Sequence, residues 1–362
     1  MLKLSLILGC CFPLYGFAQG PQIPFAPKHY VCYRTPIPLS IDGYLNEPAW
    51  KNAVWTENFV DIEGDRKPLP RHNTRVKMLW DNTYLYVGAV LEEPHVWATL
   101  TEQESVIFYD NDFEVFIDPD GDTHQYYEFE INAFATTWDL LLVKPYRDGG
   151  PAVTAWDMDA LKAEVSIQGS INDPLTPDTS WTVEIALPMK ALAECAVPKR
   201  PPLPGEQWRI NFSRVQWQTE IVDGKYQKML NPDTDKPYPE DNWVWSPQGI
   251  INMHYPEMWG FLQFSGNEAS QAGDSFDDQE EETIKWVLRL IYYRQWTYKQ
   301  QNGKYADHLA MLASETIEYN GEVYGPSLEV TPSMYEVYYT DLSSGITWHI
   351  NHEGKVWQTN PD

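Results

Sequence analysis

Asp110-Asn-Asp-Phe-Glu-Val-Phe-Ile-Asp118, then Pro119-Asp-Gly121, then Tyr126-Tyr-Glu-Phe-Glu-Ile-Asn132 reads as strand, turn and strand. Side chains along a strand alternate between its two faces. Phe113, Val115 and Ile117 therefore share one face and Glu114 the other. In the second strand Tyr127, Phe129 and Ile131 share a face, and Glu128 and Glu130 oppose them. Upstream, Arg75-Val-Lys-Met-Leu-Trp80, the turn Asp81-Asn82 and Tyr84-Leu-Tyr-Val-Gly-Ala-Val90 predict a hairpin. Downstream, Leu161 to Ile171, Ser180 to Leu187, Trp208 to Trp217 and Phe261 to Phe264 add strands. Short helices are predicted at Glu47 to Asn52, capped by Asn46, and at Met189 to Ala193. Many short strands between turn signals make the chain mainly β, a sandwich or a barrel.

The ends differ from this middle. Met1 and Lys3 precede a short apolar run, Leu4 to Tyr15, and Gly16-Phe-Ala-Gln19, which predicts a secretory signal over 1–18 cut after Ala18. Gly9-Cys10 is a fragment of a lipobox, but Cys10 lies too early for a full apolar region, so a lipoprotein is the lesser reading. The expected location is secreted, periplasmic or at the outer surface, and no later segment is apolar enough for a membrane helix. Residues 265–282 (SGNEASQAGDSFDDQEEE) read as an acidic linker after a main domain over 37–264. In 283–362, Ile284, Val287, Leu288, Ile291, Tyr292 and Gln295 have helical spacing, and Asn302-Gly303 stops the helix. A second helix is expected at Ala306 to Ala313. Tyr335 to Thr340, Ile346 to Asn351 and Val356 to Thr359 predict a small meander, making this region α+β.

The net charge of −26 excludes nucleic acid and an anionic membrane surface as partners. Among 362 residues there are 16 Trp and 22 Tyr, more than a core of this size needs, so some are candidate platforms for the C–H face of a sugar. Cys32 and Cys195 remain after signal removal, either as a disulfide or as two separate thiols.

Ile41-Asp-Gly43 with Glu47 and Trp50, Leu79-Trp-Asp-Asn-Thr-Tyr-Leu-Tyr-Val87, and Asp110 to Asp118 resemble carbohydrate-binding module family 9 and its DOMON-like relatives. Tyr127 to Asn132, Trp181-Thr-Val-Glu-Ile-Ala186, Trp208 to Arg214 and Trp259-Gly-Phe-Leu262 follow in the family's order. The likeness covers about 37–264 and looks closest to the exported family-9-like proteins of Bacteroidota. It implies a two-sheet antiparallel β-sandwich with bound calcium that holds sugar chain ends between two facing Trp rings. Carried over position by position, Phe108 stands where the family has its first Trp. Glu114 matches the glutamate that hydrogen-bonds sugar hydroxyls, and Glu130 stands where the family has an arginine. Asn242 with Trp243 or Trp245 would supply the second platform. Trp138 and Arg214 have the right chemistry to join them, an aromatic plane and a fork of donors, as do Arg147 and Trp217. Trp50 and Trp80 read as core.

Other chemistries are less well marked. Asp118-Pro-Asp-Gly-Asp122 is a candidate Ca²⁺ loop through Asp118, Asp120 and Asp122, or a plain turn, and it lacks the bidentate Glu of an EF-hand. Paired carboxylates such as Glu128 with Glu130, or Glu184, leave a glycoside hydrolase open. No phosphate loop, Gly-x-Ser-x-Gly or His-Glu-x-x-His is present, so no catalytic residue and no organic cofactor is expected. Met78, Met253 with His254, and Met258 are conceivable haem ligands. The sequence therefore predicts non-catalytic binding of an oligo- or polysaccharide in support of its breakdown. The alternative is an interaction module that has lost its sugar.

Overall fold

The computed structural model describes residues 20–361. The stretch 1–18 expected to be a signal, with Cys10 and Cys11, lies outside the described residues. The principal strands are β1 (His29–Arg34), β2 (Thr74–Trp80), β3 (Tyr84–Glu92), β4 (Asp112–Asp118), β5 (Tyr126–Asn132), β6 (Thr137–Leu142), β7 (Lys162–Gln168), β8 (Ser180–Pro188), β9 (Gln207–Gln216), β10 (Asp241–Val244) and β11 (Gly260–Glu268). They pair in the order β6-β5-β4-β9-β11-β1-β2-β3-β8-β7, with β10 on β9. The path folds over so that β4, β5 and β9 face β2, β3 and β8. Phe113, Val115, Ile117, Phe129 and Phe212 from one layer meet Met78, Val87, Leu91, Val183 and Ile185 from the other in one apolar core. This is the expected sandwich, and the alternation in β4 and β5 is as the sequence predicts. Most pairings are antiparallel. β1 is the exception, running parallel to both β11 and β2 and bridging the layers.

Helix α1 (Pro48–Asn52) starts one residue later than expected, with Glu47 rather than Asn46 at the cap position and Pro48 in its first turn. Helix α2 (Met189–Leu192) is a single turn after β8. Trp50 and Trp80 are fully buried. The Trp50 indole donates to Glu184 Oε1 at 2.8 Å, and Glu184 Oε2 accepts the amides of Asp42 and Gly43 at 2.9 and 3.1 Å. Cys32 and Cys195 are free thiols, so the disulfide reading is corrected. Cys32 is enclosed within β1, whereas Cys195 is half-buried beside Tyr127.

The C-terminal part packs on the sandwich. Strand β11 continues to Glu268, and the acidic segment after it lies against the domain. Asp274 and Asn267 are hydrogen-bonded at 2.9 Å, and Phe276 stacks on His29. Helix α3 (Glu281–Asn302) ends at Gly303, whose φ of 73° is the left-handed conformation glycine adopts readily. One side of α3 (Val287, Leu288, Ile291) packs on a four-stranded sheet of β12 (Ser327–Val330), β13 (Tyr335–Thr340), β14 (Thr347–Asn351) and β15 (Val356–Thr359). Its other side carries Trp286, stacked on Phe25 of the Pro-rich lead-in. The expected second helix is only a 3₁₀ turn, Leu309–Leu312, which ends at Ala313 in the left-handed conformation with a φ of 83°.

Candidate functional site

The outward face of the β4–β5–β9 layer carries the site, and cross-strand register assembles it. Trp138 of β6 lies opposite Glu130 of β5, Glu130 opposite Glu114 of β4, and Glu114 opposite Ser213 of β9. In the next row Leu140, Glu128 and Phe116 are neighbours in the same way. On the other side Asn132, Asp112, Val215 and Asn242 form a third row. Because the side-chain period of a strand is two, every residue in these rows projects away from the core.

A cavity of about 330 Å³ opens above this face. Phe108, Trp138, Tyr146 and His254 give it aromatic walls, and Glu114, Glu128, Glu130, Glu240, Asn242 and Asn252 give it polar groups. Among the described residues no Lys or Arg lines it. Five of the residues singled out from sequence (Phe108, Glu114, Glu130, Trp138 and Asn242) thus meet in one place. Phe108 is held by its own backbone, its amide donating to Glu130 Oε2 at 3.0 Å and its carbonyl accepting from the Trp217 indole at 2.9 Å. Trp217 therefore supports a wall of the cavity without lining it.

Trp243, Trp245, Arg214 and Arg147, also singled out, are elsewhere. Trp243 and Trp245 are 3% and 1% exposed and sit in the interlayer core. The reason is parity: Asn242 faces the cavity, so Trp243 and Trp245, one and three positions on, turn inward. Guanidinium groups of Arg71 and Arg214 lie over the Trp243 ring, 4.9 and 5.2 Å from its centre, and leave no open face for a sugar. Arg214 shares the inward face and is 1% exposed. Its three nitrogens donate to Gln216, Thr74 and Glu93 at 2.9, 3.0 and 3.0 Å. Arg147 is likewise spent, on Glu257. The sequence reading missed Tyr146, His254, Glu240 and Asn252, which reach the cavity from loops; no periodic pattern marks such positions.

The cavity floor is unusual electrostatically. Burial, then repulsion from neighbouring carboxylates, raises Asp112, Glu128 and Glu130 well above the ordinary carboxylate range. Burial also raises Glu114, to about 7. Burial lowers His254 to about 3, so it is neutral, and its Nδ1 pairs with the Tyr126 hydroxyl at 2.9 Å.

The acidic loop 118–122 has its oxygens engaged. Asp118 accepts the amides of Gly121 and Thr123 at 3.0 and 2.8 Å. Asp122 accepts the His124 amide at 2.7 Å and pairs with Lys355 at 2.9 Å. Asp118, Asp120 and Asp122 also each place one oxygen so that all three lie within 4.8 Å of one another, so the turn and the Ca²⁺ reading both stand on the geometry. Met78 lies in the core, Met253 beside the cavity and Met258 under α3, so no two of these methionines share a haem pocket.

A β-sandwich with a cavity walled by aromatic rings and floored by carboxylates and amides defines a small-molecule binding module. Residues 41–211 match the model of the family described as carbohydrate family 9 binding domain-like, and over that stretch the chain is similar to the family. Similar solved structures include a family 9 carbohydrate-binding module from Caldicellulosiruptor kristjanssonii in complex with cellotriose. It is 16% identical, with 68% of this chain and 98% of that one covered and a TM-score of 0.41. The same organism's module in complex with glucose gives 15%, 69%, 100% and 0.42. A candidate carbohydrate-binding protein from Bacteroides uniformis gives 18%, 66%, 100% and 0.48. No curated protein matches the chain.

Proposed function

We propose that this is an exported protein that binds a glycan non-covalently in the cavity above β4, β5 and β9, in support of polysaccharide breakdown. The observation that carries the reading is convergence. Phe108, Glu114, Glu130, Trp138 and Asn242 come from separate elements of a family-9-like domain and line one cavity. The chemistry suits a pyranose. Trp138 and Phe108 offer rings for its C–H face, and Asn242, Asn252 and the carboxyl groups offer partners for its hydroxyls. A carboxyl held near neutral pH can either donate or accept, which adds to that range.

The test is isothermal titration with glucose, cellotriose and xylo-, manno- and galacto-oligosaccharides. A saturable response from at least one sugar is expected, weakened tenfold or more by Trp138→Ala with unchanged circular dichroism. A folded protein that responds to none of them, with and without Ca²⁺, overturns the reading in favour of an interaction module.

A further inference from the structure

The floor of the cavity holds a group of carboxylates that sugar hydroxyls alone do not account for. Asp112, Glu114 and Glu130 each place one oxygen so that all three lie within 4.8 Å of one another. All three are buried, and none forms an ion pair among the described residues. Asp112 is 0% exposed. Its Oδ1 accepts the Val215 amide at 3.3 Å, while its Oδ2, equally enclosed, has no hydrogen-bond partner. An ionised oxygen with no partner in such a place is costly, and so is the crowding of three carboxylates. Three other carboxylates of the chain have a guanidinium partner: Glu93 has Arg214, Glu257 has Arg147, and Glu282 has Arg209.

We infer that Asp112, Glu114 and Glu130 bind a divalent cation, with Ca²⁺ as the best fit, and that this cation bridges the protein to the glycan. The inference rests on the proposed sugar site for its second half only. Three hard oxygen donors without nitrogen or sulfur select Ca²⁺ over softer metals. Ca²⁺ takes six to eight oxygens, so three carboxylates leave positions free. Glu114 and Glu130 border the cavity and Asp112 lies beneath them, so the free positions face the place where the sugar would sit. There the cation would polarise a vicinal pair of sugar hydroxyls. This site is distinct from the loop 118–122, where Lys355 pairs with Asp122.

The test uses the full chain stripped with EDTA and dialysed. Ca²⁺ is titrated by calorimetry, and Tb³⁺ by Trp-sensitised luminescence, both without sugar. One equivalent is expected, weakened tenfold or more by the near-isosteric Asp112→Asn and unchanged by Asp120→Asn. Glu130→Gln is the second variant should Asp112→Asn fail to fold. A folded wild type that takes up no cation overturns the inference, as does uptake that both floor variants leave intact. Sugar affinity is then compared in Ca²⁺ and in EDTA. A tenfold or greater loss in EDTA is expected, and equal affinity overturns the bridging role while leaving the sugar site standing. Because the cation is measured alone, failure of the glycan reading does not obscure this result.

Discussion

Trp138 and Trp245 illustrate how one residue type serves two ends. Trp138 is half-exposed on the cavity side of β6, whereas Trp245 is enclosed between the layers, in contact range of Phe212. Trp138→Ala should leave the protein folded and weaken sugar binding. Trp245→Ala should cost about 3–5 kcal/mol through an unfilled cavity and lose binding only where the protein unfolds. Urea denaturation beside calorimetric titration separates the two, and a stable Trp245→Ala protein that no longer binds sugar would restore the sequence assignment. The cause of that misassignment is plain in Asn242-Trp-Val-Trp245. A Pro- and Gly-rich neighbourhood looks like a loop, yet residues 241–244 are paired to β9 as a short strand. Period two then fixes which side chains point inward. Read as a strand, the same four residues would have given Asn242 to the site and both indoles to the core. Glu114 and Glu130 were legible because their strands are long and strictly alternating. Tyr146 and His254 were not, because their positions depend on how distant loops close over the sheet.

At the level of elements, the family blocks turn out to be contacts rather than chemistry. The Ile41-Asp-Gly43 block and Trp50 are tied together by one carboxylate, Glu184, in the middle of β8. That accounts for Glu184 as a structural anchor, enclosed and far in sequence from the cavity. The block Trp259-Gly-Phe-Leu262 has a similar basis. A Cβ on Gly260 would come within 2.4 Å of the Trp245 ring and 3.0 Å of the Lys28 carbonyl. The glycine therefore exists to let the indole lie flat on β11. Gly260→Ala should destabilise by about 1–3 kcal/mol, the range for overpacking a core. Thermal melting checks this, and a melting temperature equal to wild type would mean that the indole has room to move. Sugar affinity of the folded fraction should not change, since Gly260 is on the far side of the sheet from the cavity.

Over the whole molecule, the unsettled matter in the sequence was whether residues 283–362 stand alone. Composition marks the acidic run 265–282 as a tether, but composition does not register what a charged segment is paired with. Arg209 of β9 meets Glu282 at the start of α3, and Lys355 and Lys144 meet Asp122 and Glu353 across the same boundary. At the centre of the boundary, Glu257 lies between Arg147, 2.9 Å away, and Arg289 of α3, 3.8 Å away, and accepts from the Tyr293 hydroxyl. Burial alone would raise the Glu257 carboxyl, but the two guanidinium groups outweigh it and hold it at about 2. A carboxyl whose folded value is depressed stabilises the fold above its unfolded value of 4.5, and the contribution is lost as pH falls towards 2. At about 1.4 kcal/mol per unit, the shift corresponds to roughly 3 kcal/mol at neutral pH. Glu257→Gln, which leaves two buried guanidinium groups short of their counter-charge, should therefore lower stability at pH 7 by about that amount. The difference from wild type should narrow between pH 4.5 and pH 3. Denaturation by urea at pH 7, 4.5 and 3.5 measures this, with limited proteolysis of the 265–282 segment reporting release of α3. A gap that stays constant with pH would mean that Glu257 holds the two parts together by shape and hydrogen bonding, not by its charge.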